Sequence, residues 1–300
     1  MAVSVRLEPM RTARFVSWGA DSRAGFVDQQ LASGSVSERE ARAYAEREFV
    51  ALLPAGLKSP GHHIWCAYDG ELEVGTLWMG INHRSGNLDA FVYDFSVTPH
   101  ARRRGYGRAI MAAGEARVRS HGALSVRLNV FGHNLAAHRL YEGLGYTATV
   151  TNMSRSLDAD HPPARSDALR LRLEPMTQAA FDAYRAVAPR DTSIVLPHGV
   201  ATPDHFLWTV YDRELEVGVI WLQISPKADG LHAFGHDLSV REDLRGRGYE
   251  HALAAAADRF CRGRGVISLG LNVLGPDPAA WPPYQQAGFR VTATLMHKHL

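Results

Sequence analysis

The feature that most constrains this chain is that it repeats itself. Residues 65–81 read WCAYDGELEVGTLWMGI and residues 208–224 read WTVYDRELEVGVIWLQI, identical at 10 of 17 positions with a constant offset of 143. Similarity at a long fixed period means one folding unit used twice. The offset persists downstream: Phe91 to Val97 matches Phe234 to Val240, Leu128-Asn129-Val130 matches Leu271-Asn272-Val273, and Tyr141 matches Tyr284. The openings also match, RLEPM at 6–10 and at 172–176, but 166 residues apart, so the first copy carries 23 additional residues before Trp65. Between the copies, residues 158–168 (DADHPPARSDA) are polar and contain two prolines, which reads as a linker. The expected organisation is a first domain over 1–157, a linker over 158–168 and a second domain over 169–300.

Each copy reads as mixed α/β. In the first, Val3 to Leu7 is a short strand. Ser37 can cap a helix and Glu40, three residues on, can reach back to it, so a helix is predicted to run to about Leu53 and stop before Pro54. Ile64–Tyr68, Glu73–Ile81 and Phe91–Val97 alternate or run apolar between turn residues, as strands do. Asp69-Gly70 makes the first two a hairpin. Then come a glycine-arginine loop, a helix to about His121, a strand from Ser125 to Val130, a helix from Asn134 to Gly143, and a strand from Tyr146 to about Met153.

Thirty-three basic and thirty-one acidic side chains leave a net charge of +2, too balanced for a nucleic-acid coat or a polybasic membrane anchor. No apolar run approaches the roughly eighteen residues of a membrane span, and the N-terminus lacks the apolar core of a signal peptide, so the expected compartment is the cytoplasm. Two cysteines, Cys66 and Cys261, make no disulfide framework. Fifteen histidines invite a metal reading, but none falls in a His-Glu-x-x-His or Cys/His pattern, and no metal is expected.

Only three basic residues are lysines, so where arginines gather matters. Arg102, Arg103, Arg104 and Arg108 surround Gly105-Tyr106-Gly107, between a predicted strand and a predicted helix. Glycine lets the backbone turn and approach a ligand, while the free N–H groups and dipole of a helix start favour an anion. Arginine adds bidentate donors. The alternative is a surface turn with solvated arginines.

Downstream motifs decide between these. Arg102-x-x-Gly105-x-Gly107, followed by Asn134-x-x-Ala137-x-x-x-Tyr141 and closed by Gly145-Tyr146, resembles the fingerprint of the GNAT superfamily of acyl-CoA-dependent N-acetyltransferases. The resemblance covers roughly residues 3–157, with a weaker echo over 169–300. It implies two tandem domains, each a twisted, mixed and largely antiparallel sheet flanked by helices. It implies acetyl-CoA as co-substrate and a small-molecule or peptide amine as acceptor. On this resemblance Val97, with Phe95 and Ser96, would pair with the pantetheine arm and offer an N–H to the thioester carbonyl. Residues Arg102 to Arg108 would hold the pyrophosphate, and Asn134, with Ala137 in the same motif, would meet the pantetheine or phosphate region. Tyr141 would give a proton to the departing thiolate, and the acceptor amine would attack directly. For the base that deprotonates the amine, Tyr93 and Asp94 are candidates. Alternation would put them on opposite faces of the strand. Asp94 recurs as Asp237, which equally suits a structural hydrogen bond common to both copies. The acceptor site is expected from the enlarged segment, Trp18 to about His63.

The second copy departs from the fingerprint. Gly107 becomes Glu250, Asn134 becomes Asp277, and His138-Arg139-Leu140 becomes Trp281-Pro282-Pro283. A carboxylate sits where pyrophosphate would, and a helix-interior proline costs about 3 kcal/mol. The second copy is therefore expected to have lost acyl-CoA binding. A non-catalytic acyl-CoA-binding or interaction module is the competing reading. The sequence leaves the acceptor and the oligomeric state open.

Overall fold

The computed structural model describes residues 3–33, 37–84, 86–157, 169–187, 195–227, 229–275 and 281–300, so the predicted linker and Asp277 lie outside the described residues. Twelve strands and seven α-helices are found among them. In chain order the first half gives β1 (Arg6–Pro9), α1 (Thr12–Ala32), α2 (Glu38–Leu52), β2 (His62–Asp69), β3 (Leu72–Arg84), β4 (Asn87–Val97), α3 (Tyr106–Ser120), β5 (Ser125–Phe131), α4 (Leu135–Glu142) and β6 (Thr147–Ser156). The second half gives β7 (Arg172–Pro175), α5 (Gln178–Val187), β8 (His205–Asp212), β9 (Leu215–Lys227), β10 (Gly230–Val240), α6 (Tyr249–Arg262), β11 (Val266–Leu274), α7 (Pro282–Gln286) and β12 (Arg290–His299).

The predicted capping box is present at α2. The Ser37 side chain accepts from the Glu40 N–H while the Glu40 carboxylate accepts from the Ser37 N–H. The 21-residue helix α1 was not expected. Its N-cap, Arg11, makes no side-chain capping bond, and its buried residues Trp18, Gly19 and Val27 form no regular stripe. It therefore offers neither of the signals that mark a helix in a sequence. Together α1 and α2 account for the enlargement of the first copy, whose counterpart segment in the second contains α5 among the described residues.

The chain divides into two compact units, residues 1–151 with 292–300, and residues 152–291. This differs from the collinear division expected from the linker. The last nine residues belong with the first copy, and β6 and β12 each begin in one unit and end in the other.

In unit 1 the strand order is β1-β2-β3-β4-β5 followed by β12. All neighbours are antiparallel except the parallel pair β4–β5. Strand β12 runs beside β5 in register from Ala293 opposite Phe131 to His299 opposite Ser125. Helix α3 buries Tyr106, Ile110, Met111, Glu115 and Val118 at helical spacing against this sheet. Burying each large apolar side chain is worth about 1.5–3 kcal/mol. The contact needs Gly114, where a Cβ would stand 2.3 Å from Leu77 of β3. Glu115, buried in that face, accepts from the Tyr146 hydroxyl at 2.9 Å and from Lys298 Nζ of β12 at 2.6 Å. The strand that completes the sheet is thus tied by an ion pair to the helix that covers it.

Unit 2 repeats the plan with β10–β11 as its parallel pair. Helix α6 buries Ala252 to Ala257 as well as Asp258. Asp258 matches Glu115 at the offset of 143, and Arg155 of β6 matches Lys298. Arg155 Nε stands 3.6 Å from Asp258, which Arg262 also contacts at 3.1 Å. The same strand-to-helix ion pair therefore recurs with different residues. Among the described residues, no helix is long and apolar enough to cross a membrane.

Candidate functional site

The site is set by where β4 and β5 stop pairing. They run parallel from Asp89–Ser125 to Val92–Leu128 and pair no further. At the same level a bulge interrupts the β3–β4 register: Trp78 faces Asp94 and Met79 faces Val92, leaving Tyr93 extra. A bulge bends its strand and re-aims its side chains. Beyond it, Tyr93 to Val97 diverge from Asn129 to Phe131 and open a gap in the sheet.

The bulge also corrects the alternation expected for Tyr93 and Asp94, which share a face. Tyr93 stacks on Trp78 with ring centroids 4.9 Å apart, and Asp94 accepts from Trp18 Nε1 at 3.1 Å. Trp18 and Trp78 are themselves in edge contact at 5.7 Å. Gly80 makes room for the Tyr93 ring, since a Cβ there would be 2.6 Å from it. On the opposite face Val92 is buried in the core, where Phe95, Val97 and Tyr141 also pack.

Burial raises the pKa of the Asp94 carboxyl, an effect opposed by hydrogen bonds from Trp18, Ser22 and the Phe95 N–H. Its counterpart Asp237 accepts from the Tyr184 hydroxyl at 2.8 Å. Tyr184 follows Trp18 by 166 residues, the offset of the openings, so both copies clamp their first helix to this strand. Tyr141 is 6% exposed, on α4, with its ring 6.4 Å from Phe95. Burial first, and the charge of Asp94 second, push its phenol above the ordinary value of 10.0. Tyr141 is therefore a protonated donor at any physiological pH.

The glycine-arginine loop takes the predicted form. Gly105 is the N-cap of α3 with φ +90°, a left-handed conformation that suits glycine. Arg103 shares the left-handed region at φ +61°, which costs a side-chain-bearing residue about 1–2 kcal/mol. Among the described residues, the backbone N–H groups of Arg103 to Arg108 make no intramolecular hydrogen bond. They are the unsatisfied donors of a helix start, the arrangement that receives anions.

The arginines divide by role. Arg102 Nε donates to the Val97 carbonyl at 3.1 Å and braces the end of β4. Arg108 donates to the Gly143 carbonyl at 2.6 Å and braces α4. Arg103 and Arg104 stay exposed at the loop. The ring of Tyr106 is buried and its hydroxyl donates to Asp69 at 2.5 Å, so it offers the loop only its backbone. Asn134 is the N-cap of α4, its side-chain oxygen accepting from the Ala137 N–H at 3.1 Å.

A cavity of about 980 Å³ opens beside Arg102 at the start of this loop. Tyr93 to Val97, Arg102, Asn129, Asn134, Ala137 and Tyr141 line it. So do residues of α1 and α2 between Arg14 and Leu52, which the sequence pointed to as a segment without defining the helices. Ala293 of β12, which the expected domain division left in the other copy, lines it too.

Unit 2 treats the same loop differently. Gly246 and Gly248 take φ +73° and +88°, and the Gly246 N–H donates to the Glu250 carboxylate at 2.9 Å. The loop therefore supplies its own anion. Helix α7 has five residues and starts at Pro282, against eight in α4. Among the described residues no group of three or more His, Cys, Asp or Glu is placed to hold a metal ion. Cys66 and Cys261 are free and buried.

A parallel strand pair that parts, followed by a loop and a helix, defines an acetyltransferase fold, and this arrangement is present twice. The chain belongs to the acetyltransferase (GNAT) family, whose sequence model matches residues 29–146 and again 173–289. It is 32% identical over 156 residues to the uncharacterized N-acetyltransferase YycN of Bacillus subtilis (strain 168), covering 52% of this chain and 100% of that protein. It is 30% identical over 152 residues to the uncharacterized N-acetyltransferase YdgE of the same organism, covering 50% and 97%. The crystal structure of a GCN5-related N-acetyltransferase from Sphaerobacter thermophilus shares the fold, with 20% identity, 98% of this chain and 95% of that chain covered, and a TM-score of 0.55.

Proposed function

We propose that unit 1 transfers an acetyl group from acetyl-CoA to a primary amine by direct attack, and that unit 2 has lost acyl-CoA binding. The observation that carries this is one cavity running from Arg102, where the loop of open N–H groups begins, past the gap between β4 and β5, to α1 and α2. The open donors and the exposed Arg103 and Arg104 suit a pyrophosphate. The parted strand edge over Phe95, Ser96 and Val97 suits an extended amide-bearing arm, with the Asn134 amide nitrogen beside it. When bound, acetyl-CoA supplies an activated acyl group.

A backbone N–H of β4 directed at the acyl oxygen would stabilise developing charge, a contribution of about 3 kcal/mol for one such donor. Tyr141 would hold the proton at its Oη and give it to the departing sulfur as the carbon–nitrogen bond forms. Desolvation that raises the phenol also raises the basicity of a thiolate in the same cavity, so the pair stays matched. The amine's proton leaves to bulk through water on the Trp18 side, with Tyr93 and Asp94 as the candidate groups to pass it on. Recurrence of the helix clamp in unit 2 favours positioning as the main work of Asp94. In unit 2, Glu250 occupying the loop N–H supports the loss of the anion site.

Calorimetry with acetyl-CoA tests the unequal assignment, with one site per chain expected and two comparable sites overturning it. Thiol release tests the transfer. Tyr141→Phe should keep acetyl-CoA affinity and slow turnover by about a hundredfold; an unchanged rate would remove Tyr141 from the mechanism.

A further inference from the structure

The acceptor arm of the cavity carries two aromatic groups with space between them. One is Trp18, Trp78, Tyr93 and Phe91, with Phe91 and Tyr93 at 4.9 Å. The other is Phe26, stacked on Tyr44 at 5.8 Å and 20°, with Phe131 edge-on at 5.9 Å. Tyr44 is 41% exposed, and all seven rings line the cavity. Gly25 of α1, next to Phe26, also lines the cavity, and an added Cβ there would meet nothing within 4 Å. The rings therefore face open space that a flat apolar body can fill, each contact gaining from stacking as well as burial.

The charges select further. Arg14 and Arg23 line this arm, but each is held by a carboxylate that does not, Glu73 at 3.3 Å and Glu46 at 3.1 Å. Arg23 also lies over the Phe49 ring at 4.4 Å. Asp21 and Glu48 are the carboxylates lining the arm from α1 and α2, with Asp94 deeper. Asp21 is 3.8 Å from Arg14 and Glu48 is 3.9 Å from Arg47. With Arg14 and Arg23 each held by a carboxylate outside the arm, and Arg14 also shared with Asp21 inside it, the lining carboxylates favour an ammonium group over an acceptor that also bears a carboxylate.

We propose that the acceptor of unit 1 is a small primary amine with a flat aromatic body and no carboxylate, seated between the Phe26–Tyr44–Phe131 and Trp18–Trp78–Tyr93 groups. This rests on the reading of the cavity as an acetyl-transfer site. The test is thiol release by the full chain with acetyl-CoA and, in turn, phenethylamine, phenylalanine, spermidine and glucosamine. Phenethylamine should exceed each of the others at least tenfold in kcat/KM. Equal or faster turnover of any other amine overturns the acceptor class while leaving the transfer reading in place. Acetyl-CoA binding with no turnover of any of the four overturns the class as well, and absence of acetyl-CoA binding overturns both.

Gly25→Leu fills cavity space next to Phe26 and replaces a helix-interior glycine, so the fold should hold or gain stability. Acetyl-CoA affinity should stay at the parent value while KM for phenethylamine rises at least tenfold. An unchanged KM in this variant overturns the placement.

Discussion

The loop over Arg102 to Arg108 and its counterpart over Arg245 to His251 keep one backbone course and differ in what satisfies it. In both, a left-handed residue precedes a glycine N-cap and a helix follows. Unit 1 leaves its N–H groups open and holds Arg103 in a conformation that costs about 1–2 kcal/mol. Unit 2 has glycine at that position, which removes the strain, and a glutamate that satisfies its N–H. Strain and unsatisfied donors are features that a ligand site retains, and their relaxation in unit 2 is what the proposed loss of the anion site requires. The enlarged segment says the same. Only unit 1 has, among its described residues, the pair of helices that walls the acceptor arm.

The largest expected effect comes from ending the chain after Val291. That removes seven residues paired with β5, the buried Met296 and the partner of the buried Glu115. Leaving one buried charge unpaired costs about 3–5 kcal/mol by itself, against a total stability of about 5–15. Unit 1 should unfold, read as loss of its thermal transition and of acetyl-CoA binding. An active truncated chain would show that β12 is dispensable to the first copy.

Smaller, and aimed at the loops themselves, is an exchange of residues. Gly107→Glu should weaken acetyl-CoA binding at least a hundredfold, because the carboxylate adds repulsion and can take the loop's N–H groups as Glu250 does. Glu250→Gly frees the Gly246 N–H but leaves α7 at five residues against the eight of α4, so it should create no comparable second site. Equal affinities in both variants would mean the glutamate is not what separates the units.

The smallest effect concerns the clamp common to both. Asp94 has a folded pKa raised by burial, so its ionisation on folding is unfavourable. The sign follows: stability is fullest below the unfolded pKa and is lost as pH rises through the raised folded value. Asp94→Asn keeps an acceptor for Trp18 and removes that loss. The variant should melt above the parent at pH 8, and the gap should close as pH falls. A gap independent of pH would deny the raised carboxyl.

Much of this was legible before any coordinates. The capping box at Ser37 and Glu40, the loop and the Asn134–Tyr141 helix are local patterns, and local patterns survive folding because their partners are a few residues away. Three features were not legible. Helix α1 has no cap bond and no clean apolar stripe. The bulge at Tyr93 is a property of the pairing with β3, invisible to an alternation rule applied to β4 alone. The placement of β12 depends on residues far apart in sequence, and both copies end in strands of similar pattern. A signal was available there: Glu115 and Asp258 on the helices, with Lys298 and Arg155 on the strands, keep their opposite charges at the offset of 143.

That placement has a consequence for how the protein is made. Chains are synthesised from the N-terminus, and domains generally fold in that order. Here the first unit lacks the strand beside β5 until β12 has been added, after the second unit's residues have emerged. Closing β5 against β12 joins segments more than 160 residues apart, a long-range pairing of the kind that slows folding. A partly made chain therefore carries the loop, the tyrosine and the aromatic rings on an unfinished sheet, and the cavity they line is completed only when β12 joins it.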